Sequence, residues 1–306
     1  MQTGRGLQPA ASKREVAASG EAGRLRLFFV LIVALALGFA KPLLAWMRFA
    51  LGSEFYSYMV LVPLISGYLV WSNRQSLALY SGPARAWAVL PLLIGAGLLA
   101  GYWALAGAGW RPGLESYLGL MGLSLWAFVV SAACFCFGVE TLRRVTFPAF
   151  LLLFAMPLPD AVLQRITTFL QHGSAEVASE LFDASGMAFL LRDTGLYLPG
   201  IRLEIAPECS GIRSTAVLLI TSLVAGHLFL HSAWRRVALA LFVIPLALLR
   251  NGFRVFVIGQ LCVHVGPQIL YSPIHRQGGP LFFGLSLIPF FLLLLWLRRS
   301  ERRRPA

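Results

Sequence analysis

A free thiol, a carboxylate and a guanidinium stand together in Ala206-Pro207-Glu208-Cys209-Ser210-Gly211-Ile212-Arg213-Ser214, just ahead of a long apolar run. A cysteine at a helix N-terminus feels the partial positive charge of unpaired N–H groups, which favours the nucleophilic thiolate. Two further polar groups interrupt hydrophobic sequence downstream. Arg254 closes Arg250-Asn251-Gly252-Phe253-Arg254, and His275 opens His275-Arg276-Gln277-Gly278-Gly279-Pro280. A guanidinium stabilises a thiolate or an oxyanion, and an imidazole exchanges protons near neutral pH. Glu208, Arg213, Arg250 and Asn251 are secondary candidates, with Arg250 on the helical face of Arg254 at i, i+4 and competing for its role. Each has a bland alternative: an inert buried thiol for Cys209, a snorkelling side chain for Arg254, an interfacial loop histidine for His275.

A membrane domain must position these groups. Hydrophobic residues make up 58% of the chain and charged ones only 13%, and apolar runs long enough for a ~30 Å hydrocarbon core recur from end to end. The expected fold is an all-α integral membrane protein with about eight spans, at 27–47, 55–71, 86–106, 117–138, 143–158, 212–231, 236–254 and 279–297. Ionisable groups at membrane depth are costly, so those that remain are functional candidates by default. The net charge of +13 does not point to nucleic acid, because the basic residues cluster at span ends. Placing the N-terminus in the cytoplasm puts Arg24, Arg26, Arg143, Arg144, Arg235, Arg236, Arg298 and Arg299 inside and most acidic residues, from Asp160 to Glu208, outside. Residues 1–23 are expected to be a disordered cytoplasmic tail, 24–298 one polytopic domain and 299–306 a basic cytoplasmic tail. The first apolar run resembles a signal peptide but is expected to be retained as an anchor, since the charge count works with it kept.

The long extramembrane segment is 157–211. Pro157 and Pro159 end the preceding span. Val162, Ile166, Phe169, Leu170, Val177 and Leu181 then recur at helical spacing with polar residues between them. This predicts an amphipathic helix, broken at Gly173, that lies in the outer interface or packs on other helices, with the interface favoured. Leu196 to Ile205 alternates apolar and polar residues around Pro199-Gly200, which predicts a small hairpin. With eight spans, Cys209, Arg254 and His275 all fall at the extracytoplasmic face.

Several features are set aside. His227 and His231 have metal-ligand spacing, but no carboxylate adjoins them in sequence, and no metal or cofactor is expected. Cys134, Cys136 and Cys262 sit in apolar sequence and read as packing. Gly97 and Gly101 form a GxxxG pattern suited to helix contact. HExxH, GxSxG, Walker and dinucleotide motifs are lacking, which argues against zinc proteases, serine hydrolases and ATP-driven pumps.

Over roughly residues 55–290 the chain resembles the exosortase/archaeosortase family of polytopic membrane cysteine transpeptidases. Cys209-Ser210-Gly211-Ile212-Arg213-Ser214 is similar to the family's Cys-Ser-Gly-x-x-Ser block, Pro245-Leu246-Ala247 with Asn251-x-x-Arg254 to its Pro-x-Ala and Asn-x-x-Arg block, and His275 with Gly278 and Gly279 to its histidine block. A family segment that usually carries Ser-His-Gly resembles Ser57-Tyr58-Met59, where Tyr58 and Met59 depart from it. The resemblance implies catalytic roles: Cys209 as nucleophile through a thioester, His275 as proton shuttle, Arg254 as electrostatic stabiliser. It implies as substrates secreted proteins bearing a C-terminal Pro-containing motif, a transmembrane helix and a basic cluster, with an unidentified acceptor nucleophile. It also implies a link to export or surface attachment and to exopolysaccharide production. Membrane lipid is the expected surrounding and nucleic acid is not a partner. The rival reading is a non-enzymatic transporter or flippase in exopolysaccharide assembly, which predicts polar residues at the midplane of several helices. Spans one, three and four show almost none. A hydrolytic intramembrane endopeptidase is a second rival that the sequence does not separate from a transpeptidase.

Overall fold

The computed structural model describes residues 8–53, 56–74, 85–272 and 278–302, with backbone alone for 8–21, Arg85 and Glu208. Two compact units divide the chain, residues 1–160 and 161–306. Among the described residues, five helices are long and apolar enough to cross a membrane. The number rises to seven if Ala22–Gly38 with Ala40–Gly52, and Thr146–Ala155 with Asp160–Ala184, each count as one broken span. Eight regular spans therefore do not emerge. Prolines account for much of the difference, because proline lacks the N–H donor and its ring crowds the carbonyl four residues back.

The first unit holds α1 (Gln8–Gly38), α2 (Ala40–Gly52), a 3₁₀ turn at Ser57–Val60, α3 (Leu61–Ser72), α4 (Arg85–Gly107), α5 (Leu114–Phe137), α6 (Val139–Arg144), α7 (Thr146–Leu151) and a 3₁₀ turn at Leu152–Ala155. The chain is helical from Gln8, inside the stretch expected to be disordered; residues 1–7 and 303–306 lie outside the described residues. The first expected span is two helices bent by 73° at Phe39, where Pro42 has no N–H for the Gly38 carbonyl. The second expected span is shorter than drawn, an apolar helical stretch over Ser57–Ser72.

The α4–α5 pair is the most extensive helix contact in this unit. Ser124 and Ser131 donate from α5 to the α4 carbonyls of Gly95 and Ala88, each at 2.8 Å. A Cβ at Gly95 would stand 3.0 Å from the Phe128 ring and 3.1 Å from the Ser124 carbonyl. Helix contact runs through Gly95, and not through the expected Gly97 and Gly101, around which a Cβ would meet nothing within 4 Å. Trp126 and Trp46 donate their indole N–H groups to the carbonyls of Ala149 and Ala155, both at 2.7 Å, and fix the short helical pieces after Gly138.

The second unit holds α8 (Asp160–Ala184), a three-stranded antiparallel meander of β1 (Leu190–Arg192), β2 (Gly195–Leu198) and β3 (Ile201–Glu204), then α9 (Ile212–Phe229), α10 (Ala233–His264) and α11 (Gly279–Arg302). Pro199 and Gly200 make the expected turn, with Gly200 at φ +78°, the left-handed value a type II turn requires at that place. The alternation did not disclose β1, which extends the hairpin to a third strand.

Two apolar clusters hold this unit. Leu218, Leu239, Val243, Leu246, Phe290 and Leu294 join α9, α10 and α11, while Phe182 and Ala178 of α8 pack on Leu196, Leu198 and Leu203 of the sheet. Helix α8 runs unbroken through Gly173, where a Cβ would meet Leu248 at 2.9 Å. Its buried stripe is Leu170, Ser174, Ala178 and Phe182, whereas Val162 and Phe169 stay exposed. Small and polar residues thus face the protein, and part of the apolar periodicity faces outward. At the far end, Glu301 accepts from the N–H groups of Ser232 and His231 at 2.7 and 3.0 Å and pairs with Arg235 at 3.1 Å. A carboxylate seventy residues away thus stands beside His231 after all, satisfying donors at the start of α10. Among the described residues no cluster of three metal-ligating side chains forms.

Candidate active site

The thiol is presented by a tightly constrained backbone. After β3, the Ile205 N–H donates to the Thr194 carbonyl at 3.1 Å, and Pro207–Cys209 form one 3₁₀ turn. Pro207 starts that turn, where its missing N–H costs nothing. The Cys209 N–H closes the turn on the Ala206 carbonyl at 2.8 Å. Gly211 follows at φ +77° and is the N-cap of α9. That conformation disfavours any side chain, and a Cβ there would lie 2.8 Å from Arg250 Nη2 and 3.1 Å from Asn251 Oδ1. The Gly after Cys-Ser is therefore required twice, by its backbone angle and by its neighbours.

Helix α10 supplies those neighbours. Asn251 is 2% exposed, and its Nδ2 donates to the Cys209 carbonyl at 2.9 Å and to Ser174 Oγ on α8 at 3.0 Å. Arg250 is also buried, and its Nη2 donates to the Gly211 carbonyl at 3.2 Å. These two side chains hold the backbone on either side of Ser210 and leave the thiol unencumbered. Gly252 lets α8 approach: a Cβ there would fall 2.5 Å from Val177 Cγ1 and 3.1 Å from the Ala178 nitrogen. Gly259, seven residues on and so on the same face, would meet Phe182 at 2.5 Å. At 1.5 Å per residue, Arg254 stands about 31 Å along α10 from Ala233. That is roughly one hydrocarbon thickness.

Cys209, Asn251 and Arg254 border one cavity of about 320 Å³ in this unit. Its walls include Leu203, Ile205 and Ala206 of the chain entering the cysteine turn, Val255 and Ile258 of α10, and Leu270. The Arg202–Glu204 pair, 3.4 Å apart, also borders it. Cys209 is partly exposed, whereas Cys134, Cys136 and Cys262 are buried at 1, 2 and 3% exposure. Access alone thus separates one cysteine from the other three. Arg213 is exposed on the first turn of α9 and does not border the cavity. His275 and the side chain of Glu208 lie outside the described residues.

Sequence reasoning missed the support shell. Ser174 orients the Asn251 amide, and Gln171, one turn earlier, donates from Nε2 to the Ile205 carbonyl at 2.6 Å, tying α8 to the chain entering the cysteine turn. The signal available was a glutamine and a serine three residues apart in an amphipathic helix, which share one helical face. Leu270 and Tyr271, on the 3₁₀ turn Pro267–Tyr271, carried no signal.

Several helices apolar enough to cross a membrane, together with a thiol, a buried amide and a guanidinium bordering one cavity, define a multi-pass membrane protein with a polar cleft. The family model described as transmembrane exosortase matches residues 46–292, most of the chain, and the chain belongs to that family. The family is generally one of cysteine proteases or transpeptidases that act on secreted proteins bearing C-terminal sorting signals. No curated protein and no solved structure matches the chain.

Proposed function

We propose that the protein is a membrane cysteine transpeptidase whose nucleophile is Cys209. The observation that carries this reading is the shared cavity: the one accessible cysteine among the described residues borders it together with Arg254 and the buried amide of Asn251. The Cys209 thiolate attacks the peptide carbonyl at the sorting motif, so that an Sγ–C bond forms and, as the tetrahedral intermediate collapses, the C–N bond breaks. The departing amine takes a proton from His275, and the cleaved tag leaves with its membrane helix. An acceptor amine or hydroxyl then attacks the thioester, returns its proton through His275, and frees the thiol. Arg254 compensates the developing negative charge. Arg250 and Asn251 act through the backbone of the turn and are positioning residues.

The active site is assigned to the extracytoplasmic face, with both termini in the cytoplasm. The support is the distribution of Arg and Lys over span ends and the placement of Arg254 one membrane thickness along α10 from the basic pair Arg235 and Arg236. The test is processing of a secreted reporter carrying the C-terminal tag. Cells with the wild-type chain yield a shortened reporter, and cells with Cys209→Ala retain the precursor. Mass spectrometry of the new C-terminus identifies the cut bond and the acceptor.

A further inference from the structure

We propose that the free edge of β3 is the substrate-binding strand, onto which an extended apolar peptide adds as a fourth strand before it reaches Cys209. This rests on Cys209 being the nucleophile. In the order β1-β2-β3, strand β3 is paired on one side only among the described residues. Its register is fixed: Ile205 donates to Thr194, and Leu203 and Ile201 stand opposite Leu196 and Leu198. Backbone groups alternate between the two sides of a strand, so Arg202 and Glu204 turn theirs to the open side. The Glu204 carbonyl is taken by the Ala206 N–H at 3.0 Å. The Arg202 N–H and carbonyl and the Glu204 N–H have no backbone partner among the described residues.

The cavity shows what covers this edge. Residues Arg202 to Ala206 all border it. Their side chains alternate between the two faces of the sheet, since Leu203 and Ile205 are buried while Arg202 and Glu204 are exposed. A space bordered by every consecutive residue follows the edge of a strand and not one of its faces. Cys209 borders the same space, as do Val255, Ile258 and Leu270. Apolar side chains make up much of its lining, which suits an apolar peptide, and strand addition is the recognition mode that an exposed edge provides. Bonds of this kind read the substrate backbone at every second residue and leave the residues between them to side-chain pockets.

The test uses the full chain in native membranes and two thiol probes, a capped tetra-alanine chloromethyl ketone and a capped single-alanine chloromethyl ketone. In each, the Cys209 Sγ–C bond forms and chloride leaves. The longer probe labels Cys209 at least tenfold faster. N-methylation of one of its amides removes that advantage, and N-methylation of the adjacent amide preserves it. Equal rates for the two probes, including no labelling by either, or an equal effect of methylation at neighbouring positions, overturns the proposal. A second arm compares Arg202→Pro with Arg202→Ala. Both lose the side chain, but proline also loses the N–H turned to the open side while sparing the β2–β3 ladder. The tetra-alanine probe labels Arg202→Pro at least fivefold more slowly than Arg202→Ala, and equal rates again contradict strand addition. Should Arg202→Pro fail to accumulate, the methylation pattern on the wild-type chain decides alone. If Cys209→Ala still processes tagged reporter while the alternation persists, peptide docking stands and the thiol mechanism falls.

Discussion

Replacing Asn251 by alanine removes one buried amide that donates to the Cys209 carbonyl at 2.9 Å and to Ser174 Oγ at 3.0 Å. Ser174 Oγ also loses a donor but keeps its own O–H free to donate, so the loss falls mainly on the Cys209 carbonyl. A buried acceptor left unpaired costs roughly 1–3 kcal/mol. Expressed in the positioning of the nucleophile, this is a slowing of about fivefold to 150-fold. Asn251→Asp is worse than Asn251→Ala, because a carboxylate places acceptor oxygens against a carbonyl and buries a charge. The assay is a time course of reporter processing with each variant in the membrane at matched abundance, alongside iodoacetamide labelling of Cys209. Asn251→Ala slows processing by at least about fivefold yet still labels, since the thiol remains accessible. Ser174→Ala slows it less, and the double variant is less than additive, because both changes act on one network. Processing at the wild-type rate by Asn251→Ala, or full additivity with Ser174→Ala, refutes the claim that this amide holds the turn.

Three further outcomes follow from the same geometry. Arg254→Lys loses most processing while the protein accumulates normally, because an ammonium does not reproduce a planar, permanently charged fork; near-normal processing makes Arg254 a membrane anchor. Gly252→Ala lowers thermal stability in detergent by about 1–3 kcal/mol through overpacking, since its Cβ would lie 2.5 Å from Val177 Cγ1, and an unchanged melting temperature contradicts the close approach of α8. Reporter fusions at Gly186 and at the C-terminal Ala306 give opposite compartment signals, and matching signals remove the assignment of the site to the extracytoplasmic face.

Much of the site was legible in the sequence because membranes punish stray polarity. In an apolar chain, Cys209, Asn251 and Arg254 stand out, and the structure brings all three to one cavity. The Pro-Gly turn of the hairpin was legible for a similar reason, since Gly200 is the residue type that tolerates φ +78°. The division of labour on α10 was not. Spacing placed Arg250 and Arg254 as competitors for one role, and only the Gly211 carbonyl, brought to Arg250 from 39 residues away, separates a turn-holding guanidinium from a cavity-lining one. The spacing of Gln171 and Ser174 marks a shared helical face, but their partners stayed hidden until the packing of α8 on α10 and the cysteine turn was known. Pro157 and Pro159 were legible as the end of a span, whereas the 73° bend at Phe39, where Pro42 has no donor for the Gly38 carbonyl, was not. The GxxxG pattern misled because the neighbouring helix selects which glycine is approached, and α5 approaches Gly95.

The most direct test of the account is capture of its covalent intermediate. Membranes containing the full chain and a tagged reporter are quenched in acid during turnover, and the Cys209-containing peptide is analysed by mass spectrometry with and without hydroxylamine. The account predicts a reporter fragment linked through Cys209 Sγ that hydroxylamine releases, absent from Cys209→Ala and from Cys209→Ser. Full processing of the reporter by Cys209→Ala, in cells with no second enzyme of this type, contradicts the thiol mechanism and with it the central claim.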